Sequence, residues 1–587
     1  MSDYSVGLFI FTCILYIWPE ARHHLHMLQQ NSYFNDRYLA WCRKRPLLPQ
    51  ACLNIGLCIA FFILYNLIPP NMVFVALSLI LIALLIYGIV SGKKRGDKVP
   101  LVYTWRIWRL IITLGALLVF FFASIWGIIS IFRIVFDFQI YRRFFLVLMV
   151  AISPVARYLT LAANTINKPI ERRIAQGFID DAKRILGERP GLRVIGVTGS
   201  YGKTSVKNIL YDLLSRDYEV LMTPESYNTT MGVVRTVRER LSAKHQIFIV
   251  EMGAKKPGDI KEICDIVRPE IAILTAIGPM HLETFGSIDK VADTKFELVD
   301  AVDARGAGDT GEGASDAGKR GNARGAVFLN YSNEHIRQRD RARRDAKLSS
   351  CPTVRYGVDR PANEETYDEA NKDTCDETYV LDIWAKDIIS GPEGSRFIIQ
   401  TSDGGELALR TDLLGRHNAL NITAAVAVAR HIGVLPSVIS RRVAGLKPVP
   451  HRLELLPAGA KYRIIDDAYN SNPEGAREAL DVLGSFPGAR ILVTPGMVEI
   501  GEREEEANRE LGTRAFGRCD FIIVVGKNRS GPIEEGAVSA GFDPSMIYVA
   551  EDIQDALKKV GALADTLRPG EGPVTALLEN DLPDSFM

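Results

Sequence analysis

Apolar positions follow two regimes along this chain, and the change falls near residue 190. Before it, they gather in long runs: Ala51–Leu67, Met72–Val90, Leu110–Ile131 and Phe144–Ala163, the last carrying one interior charge, Arg157. Runs of about 18 or more apolar residues predict membrane-spanning helices, because hydrocarbon cannot satisfy an exposed backbone. Ser5–Trp18 is shorter; it lacks the basic flank and small-residue cleavage site of a signal peptide and is read as a first span. Asn164–Gly187 mixes polar and apolar positions at helical spacing and predicts a helix leading away from the apolar region.

After Leu192, short β-rich runs alternate with amphipathic stretches, which predicts a parallel sheet with crossover helices. Leu192–Val197, Gln246–Glu251 and Ile271–Ala276 read as strands, and a helix is expected from Lys203. A second alternating stretch begins near Arg463, with strands at Arg463–Asp466, Ala489–Thr494, Phe521–Val525 and Val574–Leu578. Between the two, Ala301–Gly325 is rich in Gly, Ala, Asp and Arg without apolar periodicity and reads as a flexible insertion.

Charge adds an orientation. Arg22, Arg37, Arg43, Lys44 and Arg45 follow the first run, and Lys93, Lys94, Arg95, Lys98, Arg106 and Arg109 follow the third. Five spans with both basic loops inside place everything after residue 165 in the cytoplasm, under a plasma or inner membrane. Arg133, Arg142 and Arg143 fall on the outer side of that scheme, so the fourth and fifth runs are alternatively an interfacial or re-entrant pair. Lys plus Arg number 70 against 69 Asp plus Glu, which gives no sign of a nucleic-acid-binding chain. The eight cysteines show no C-x-x-C spacing, and free thiols are expected.

Candidate chemistry starts at "GVTGSYGKTS", residues 196–205. Gly199, Ser200 and Gly202 let backbone amides turn toward an anion, and the helix that follows adds its positive end. Lys203 offers a point charge to β- and γ-phosphates, Thr204 a hydroxyl to Mg2+, and Ser205 follows in the first helical turn. The spacing is shorter than the common phosphate loop, since Val197 stands where a glycine is usual. Glu251, at a strand end beside that loop, reads as a Mg2+ ligand or as a solvated, capping acid. His281 reads as a metal ligand or as a packed loop histidine, and Lys295 by itself as a surface lysine. In open α/β sheets the ligand lies beyond the carboxyl ends of the strands, so loop, Glu251 and His281 are expected at one crevice.

Six segments in series carry a resemblance: "GVTGSYGKTS", "VEMGAKKPGDI", "PMHLETFGSIDKVADTKFEL", "LLGRHNALNITAAVAVARHIG", "PHRLE" and "IIDDAYNSNPEGAREAL". Together they resemble the Mur ligase family, and within it the enzymes that add D-alanyl-D-alanine to a peptidoglycan precursor. The shortened loop is that family's form. The resemblance implies an ATP-dependent, ADP-forming amide ligase acting through an acyl phosphate, with ATP and Mg2+ as cofactors. It implies metal-binding positions at Thr204, Glu251 and His281, and a carbamylated lysine at Lys295 that acts as a carboxylate toward a second Mg2+. Asn330 matches an adenine-contacting asparagine, Arg452 an arginine reaching the ATP phosphates, and Asp467 a ribose-binding acid. Thr223, Asn228, Asn470 and Asn472 fall at substrate-contacting positions, and His417 and Asn418 in the element before a helix. The apolar runs and the resemblance together give the layout: from the runs, a transmembrane helical region at 1–165 and a linker helix at 166–190; from the resemblance, a central α/β P-loop domain at 191–445 with its insertion at 301–325 and a smaller Rossmann-like α/β domain at 446–587.

The chain departs from the family in three places. Apolar runs stand where a soluble UDP-binding domain is expected. The substrate loop reads "TPESYNTTMGVV", keeping Thr223, Asn228 and Gly232 but losing two asparagines and a proline. The last strand leads into Glu579, Asn580 and Asp581 instead of a Lys-Gly-Ser exit; these residues either bind an incoming amine or form a solvated tail. Expected partners are a muramyl-peptide, an amine such as a dipeptide, the lipid bilayer and cell-wall assembly proteins, with no nucleic acid. Two alternatives stand beside this reading: a ligase for a lipid-linked precursor with a different amine, and a non-catalytic nucleotide-binding scaffold.

Overall fold

The computed structural model describes residues 18–43, 79, 82–83, 100–132, 156–224, 227–280, 282–308, 325–349, 351–359, 380–459, 462–468, 472–498, 503–526, 530–566 and 572–580. They divide into two compact units, one within Met1–Gln176 and one within Gly177–Leu582.

The first unit is helical: residues 18–30, α1 (Asn35–Arg43), α2 (Trp105–Phe132) and the part of α3 (Ala156–Gly187) up to Gln176. Ile107, Leu110 and Leu114 recur at helical spacing on α2 and are buried with Leu25, Leu28, Tyr38 and Ala163. The polar positions between them are also spoken for. Arg109 pairs with Glu171 at 2.6 Å, and Asn167 donates to the Thr113 hydroxyl at 2.8 Å. This corrects the expectation of a multi-pass membrane protein with a transmembrane N-terminal region: among the described residues, no helix is long and apolar enough to cross a membrane. The apolar positions that begin the 110–131 run form one face of a helical core, interleaved with partnered polar groups. Of the other runs, 51–67 and 72–90 lie almost wholly outside the described residues, as do residues 5–17 of the first and 144–155 of the last, whose end at 156–163 belongs to α3.

The second unit is built on two sheets. The first has nine strands: β1 (Arg193–Thr198), β2 (Val220–Met222), β3 (Ile247–Met252), β4 (Ile271–Leu274), β5 (Ala326–Asn330), β6 (Thr353–Val358), β7 (Ile383–Gly391), β8 (Gly394–Thr401) and β9 (Glu406–Thr411). Their order is β2-β3-β1-β4-β5-β6-β7-β8-β9. Pairing is parallel as far as β7 and antiparallel from β7 to β9. Parallel strands covered on both faces read as unbroken apolar runs, and these do. Val194, Phe248, Val250, Ala272 and Leu274 pack on one face, while Ile195, Val197, Ile247, Ile249, Ile271 and Ile273 pack on the other. Helix α4 (Lys203–Leu214) lies on the second face, where Val206, Ile209, Leu210 and Leu213 are buried in the same cluster. Register brings Thr198 of β1 level with Met252 of β3 and Leu274 of β4, so these strands end together.

Helix α5 (Ile288–Gly308) runs eight residues into the segment expected to be a structureless insertion, because Ala301 and Val302 continue its packing on the sheet. Residues 309–324 lie outside the described residues. Helix α6 (Arg416–Ile432) then covers the second face beside α4. The second sheet has six strands: β10 (Glu454–Gly459), β11 (Tyr462–Asp467), β12 (Arg490–Thr494), β13 (Phe521–Val525), β14 (Ile547–Ala550) and β15 (Val574–Glu579), in the order β10-β11-β15-β12-β13-β14. All pair in parallel except β10 with β11. Helix α7 (Pro473–Gly484) follows β11, with Asn472 capping it through the Gly475 amide at 2.9 Å.

Candidate active site

The loop at 199–202 joins the carboxyl end of β1 to α4, and its glycines are required by shape. Gly199 has φ +148° and Gly202 φ +78°. A Cβ at Gly199 would lie 2.1 Å from the Thr275 hydroxyl oxygen, and one at Gly202 2.6 Å from Asn421 Oδ1. Thr275, just past β4, fastens the loop by donating its hydroxyl to the Tyr201 carbonyl at 2.5 Å. Ser200 accepts the Gly278 amide at 3.0 Å. No side chain caps α4, so its first amides face the loop as an anion site would need.

Lys203 curls back over this loop and donates to the carbonyls of Gly199 and Ser200 at 2.6 and 3.1 Å. Burial, reinforced by Arg452 and opposed by Glu251, lowers its ammonium to about 8. Thr204 donates its hydroxyl to the Glu251 carboxylate at 3.0 Å. Glu251 is almost wholly buried and meets a second cation that sequence reasoning missed: Lys207, fully buried, 2.9 Å away. Asn228 donates to the same carboxylate at 3.1 Å, and the Glu251 amide donates to Thr223 at 3.0 Å. Thr223 and Asn228, expected at substrate, therefore hold Glu251 in place here. Burial works to raise the Glu251 carboxyl, but Lys207, Lys203 and Asn228 together keep it below the usual carboxylate range. Lys207 had a legible signal, since it stands one helical turn from Lys203 and so shares its face of α4.

Lys295, on α5, is not a surface lysine: it is 4% exposed. Burial, with the nearby charge of Lys203, lowers its ammonium to about 7. His281 and Asn470 lie outside the described residues.

Across from the loop, a cavity of about 300 Å³ opens between the two sheets. Tyr201, Gly202, Ser205 and Asn330 line it from the first sheet, and Arg452, Asp467, Asn472 and Glu474 from the second, with His417 at the start of α6. Asn330 is buried and fixed, donating to the Thr275 carbonyl at 2.6 Å and accepting the Ser332 amide at 2.9 Å. Burial raises the Asp467 carboxyl, against the pull of His417 and Arg452, and its Oδ1 accepts the Leu453 amide at 3.2 Å. Glu579 and Asn580 are not a solvated tail. Both are buried; Glu579 lines the cavity and accepts from Thr494 at 3.2 Å, and Asn580 donates to the Gly496 carbonyl at 2.6 Å. Asp581 lies outside the described residues.

The phosphate loop and the acid Glu251 at the end of β3 meet through Thr204 and Lys207, with the buried lysines of lowered pKa, Lys203 on α4 and Lys295 on α5, in electrostatic reach of each other. Residues 197–429 match the model of the Mur ligase middle domain, and residues 451–571 that of the Mur ligase glutamate ligase domain. The chain belongs to the Mur ligase family. The UDP-N-acetylmuramoyl-tripeptide–D-alanyl-D-alanine ligase of Bacillus subtilis is 28% identical over 382 residues, 64% of this chain and 72% of that protein. Among solved structures, MurF from Acinetobacter baumannii is 25% identical with a TM-score of 0.56, covering 70% of this chain and 78% of that one. MurF from Thermotoga maritima in complex with ADP is 25% identical with a TM-score of 0.53, covering 69% and 80%. Over the matched residues this Mur ligase is MurF-like.

Proposed function

We propose that the chain is an ATP-dependent, ADP-forming ligase that joins D-alanyl-D-alanine to the terminal carboxylate of a UDP-muramyl-tripeptide. The observation that carries this reading is the convergence of Lys203, Thr204, Lys207, Glu251 and Lys295 at the ends of β1 and β3, opposite a cavity that Arg452 and Asp467 complete. We assign residues 191–445 to the catalytic middle domain and 446–587 to the domain that closes over the nucleotide.

In the first step an acceptor carboxylate oxygen attacks the γ-phosphorus, and the bond to the ADP oxygen breaks. Two anions must approach, so cations have to neutralise both. Lys203 takes the phosphate chain from below, with the amides at the start of α4, and Arg452 takes it from the facing wall. Asn330 and His417 flank the base, and Asp467 binds the ribose hydroxyls. In the second step the dipeptide amine attacks the acyl carbon, phosphate leaves, and the amine gives up a proton. The pair Thr204 and Glu251 offers adjacent hard oxygen donors, which suits Mg2+, an ion that keeps several waters and takes few protein ligands. When bound, Mg2+ would supply charge neutralisation at the phosphates. Among the described residues no three-ligand cluster of His, Cys, Asp and Glu is present. Lys295 suits carbamylation: at about 7, its neutral amine is abundant near neutral pH and is the form that adds to carbon dioxide.

The test is ADP release by the purified chain with UDP-muramyl-tripeptide and D-alanyl-D-alanine, each omitted in turn. Release that needs both, and is lost in Lys203→Ala, supports the reading. Release indifferent to either substrate overturns it.

A further inference from the structure

Tyr201 occupies the tip of the phosphate loop, immediately before Gly202 and Lys203. Its hydroxyl oxygen is buried and has no hydrogen-bond partner. A buried polar atom without a partner is costly, and native structures keep few of them. The rest of the residue is held firmly. Its carbonyl accepts the Thr275 hydroxyl at 2.5 Å, and its ring covers the Cα of Gly278, where an added Cβ would lie 2.4 Å from Cε2 and 2.7 Å from the hydroxyl oxygen. The ring therefore needs the glycine at 278, and the hydroxyl is fixed between the loop and the segment leading toward residue 281. Tyr201 also lines the cavity.

Resting on the nucleotide-binding reading above, we infer that the Tyr201 hydroxyl is a hydrogen-bond donor to the terminal phosphoryl group of a nucleoside triphosphate, distinguishing it from the diphosphate. A donor fixed at the tip of the loop, two residues before Lys203 in sequence, meets the far end of a phosphate chain that starts along the amides of α4. Burial and the neighbouring Glu474 raise the phenol's pKa, so it stays a donor throughout the physiological range. Glu474 also faces Tyr201 from α7 and is itself raised by burial, which makes it the competing partner to be tested.

Tyr201→Phe removes only the hydroxyl. Binding of a non-hydrolysable ATP analogue and of ADP is measured by calorimetry with the full chain, wild type and variant. The expected result is a loss of about 10- to 100-fold for the triphosphate analogue, the range for a hydrogen bond to a charged group, with ADP unchanged. The thermal midpoint of the nucleotide-free variant is expected to stay level or rise, because an unpartnered buried hydroxyl is removed. Equal affinities of wild type and Tyr201→Phe for the analogue overturn the inference. So does an equal loss for analogue and ADP, or a Glu474→Gln variant that reproduces the whole effect. If the wild type binds neither nucleotide, the proposed function fails together with this inference; if it binds both and only the variant comparison fails, the function stands and Tyr201 loses its role.

Discussion

The two walls of the cavity hold their charges differently. On the wall that carries the phosphate loop, Lys203 is bonded to two loop carbonyls, and Thr204, Asn228 and Lys207 all converge on Glu251. On the facing wall, burial raises Asp467 and Glu474, and His417 Nδ1 stands 3.9 Å from Glu478, beyond hydrogen-bond reach. The first wall is organised before any ligand arrives. On the second, burial works against the ionised form of both acids. Phosphoryl transfer rewards this division, because fixed dipoles and charges need no reorganisation at the moment of reaction. The closing wall has to release product, and so it has to be able to let go.

Four substitutions break or sharpen the contrast, from the largest expected effect to the smallest. Lys203→Ala should lower ligase turnover by roughly 10³-fold, as loss of a preorganised charge does, while urea unfolding stays near wild type. A variant with normal turnover would show that the loop wall does no electrostatic work. Lys207→Met should destabilise the fold by about 3 kcal/mol, because it strands a buried carboxylate. Adding Glu251→Gln should restore much of that stability without restoring turnover, and an unchanged Lys207→Met midpoint would contradict the locked first wall. Asp467→Asn should raise the KM for ATP about 10-fold with little change in kcat, and leave the nucleotide-free stability level or higher. A large fall in stability would mean that the second wall is locked in the same way before nucleotide binds.

A separate test of the loop side is in pH. Burial depresses the Lys295 ammonium from 10.5 to about 7 in the folded chain. Between those values the unfolded chain binds more protons than the folded one, so stability rises with pH in that window. Below about pH 7 both forms are protonated and the full cost of burying the charge is present. Unfolding free energies from pH 6.5 to 10 should therefore climb more steeply in the wild type than in Lys295→Met; equal slopes would contradict it.

The sheet ends and the loop were legible because both follow local rules. Strands predicted at Gln246–Glu251 and Ile271–Ala276 appear as Ile247–Met252 and Ile271–Leu274, and Phe521–Val525 appears unchanged. Glycines and a lysine before an amphipathic helix have few other uses. For Lys207 the only sign was its one-turn spacing from Lys203, because a polar residue on α4 looks solvated until β3 places Glu251 beneath it. Lys295 looked like a surface residue for the same reason, and only the family resemblance marked it. At the start of the apolar segment 110–131, run length says nothing of what lies opposite. Ile107, Leu110 and Leu114 face Leu25 and Leu28 across a distance in sequence that no window spans, and Arg109 and Thr113 find Glu171 and Asn167 only in the fold. Glu579 and Asn580 were ambiguous until β15 was seen paired on both sides, which carries its end indoors.

The central claim is that this wall brings an acceptor carboxylate to the terminal phosphoryl of ATP. The most direct measurement uses UDP-muramyl-tripeptide labelled with 18O in its terminal carboxylate, turned over with ATP and D-alanyl-D-alanine. Attack by that carboxylate should deliver one labelled oxygen to each phosphate released. Phosphate free of label, alongside amide product, would contradict an acyl phosphate and the account built on it.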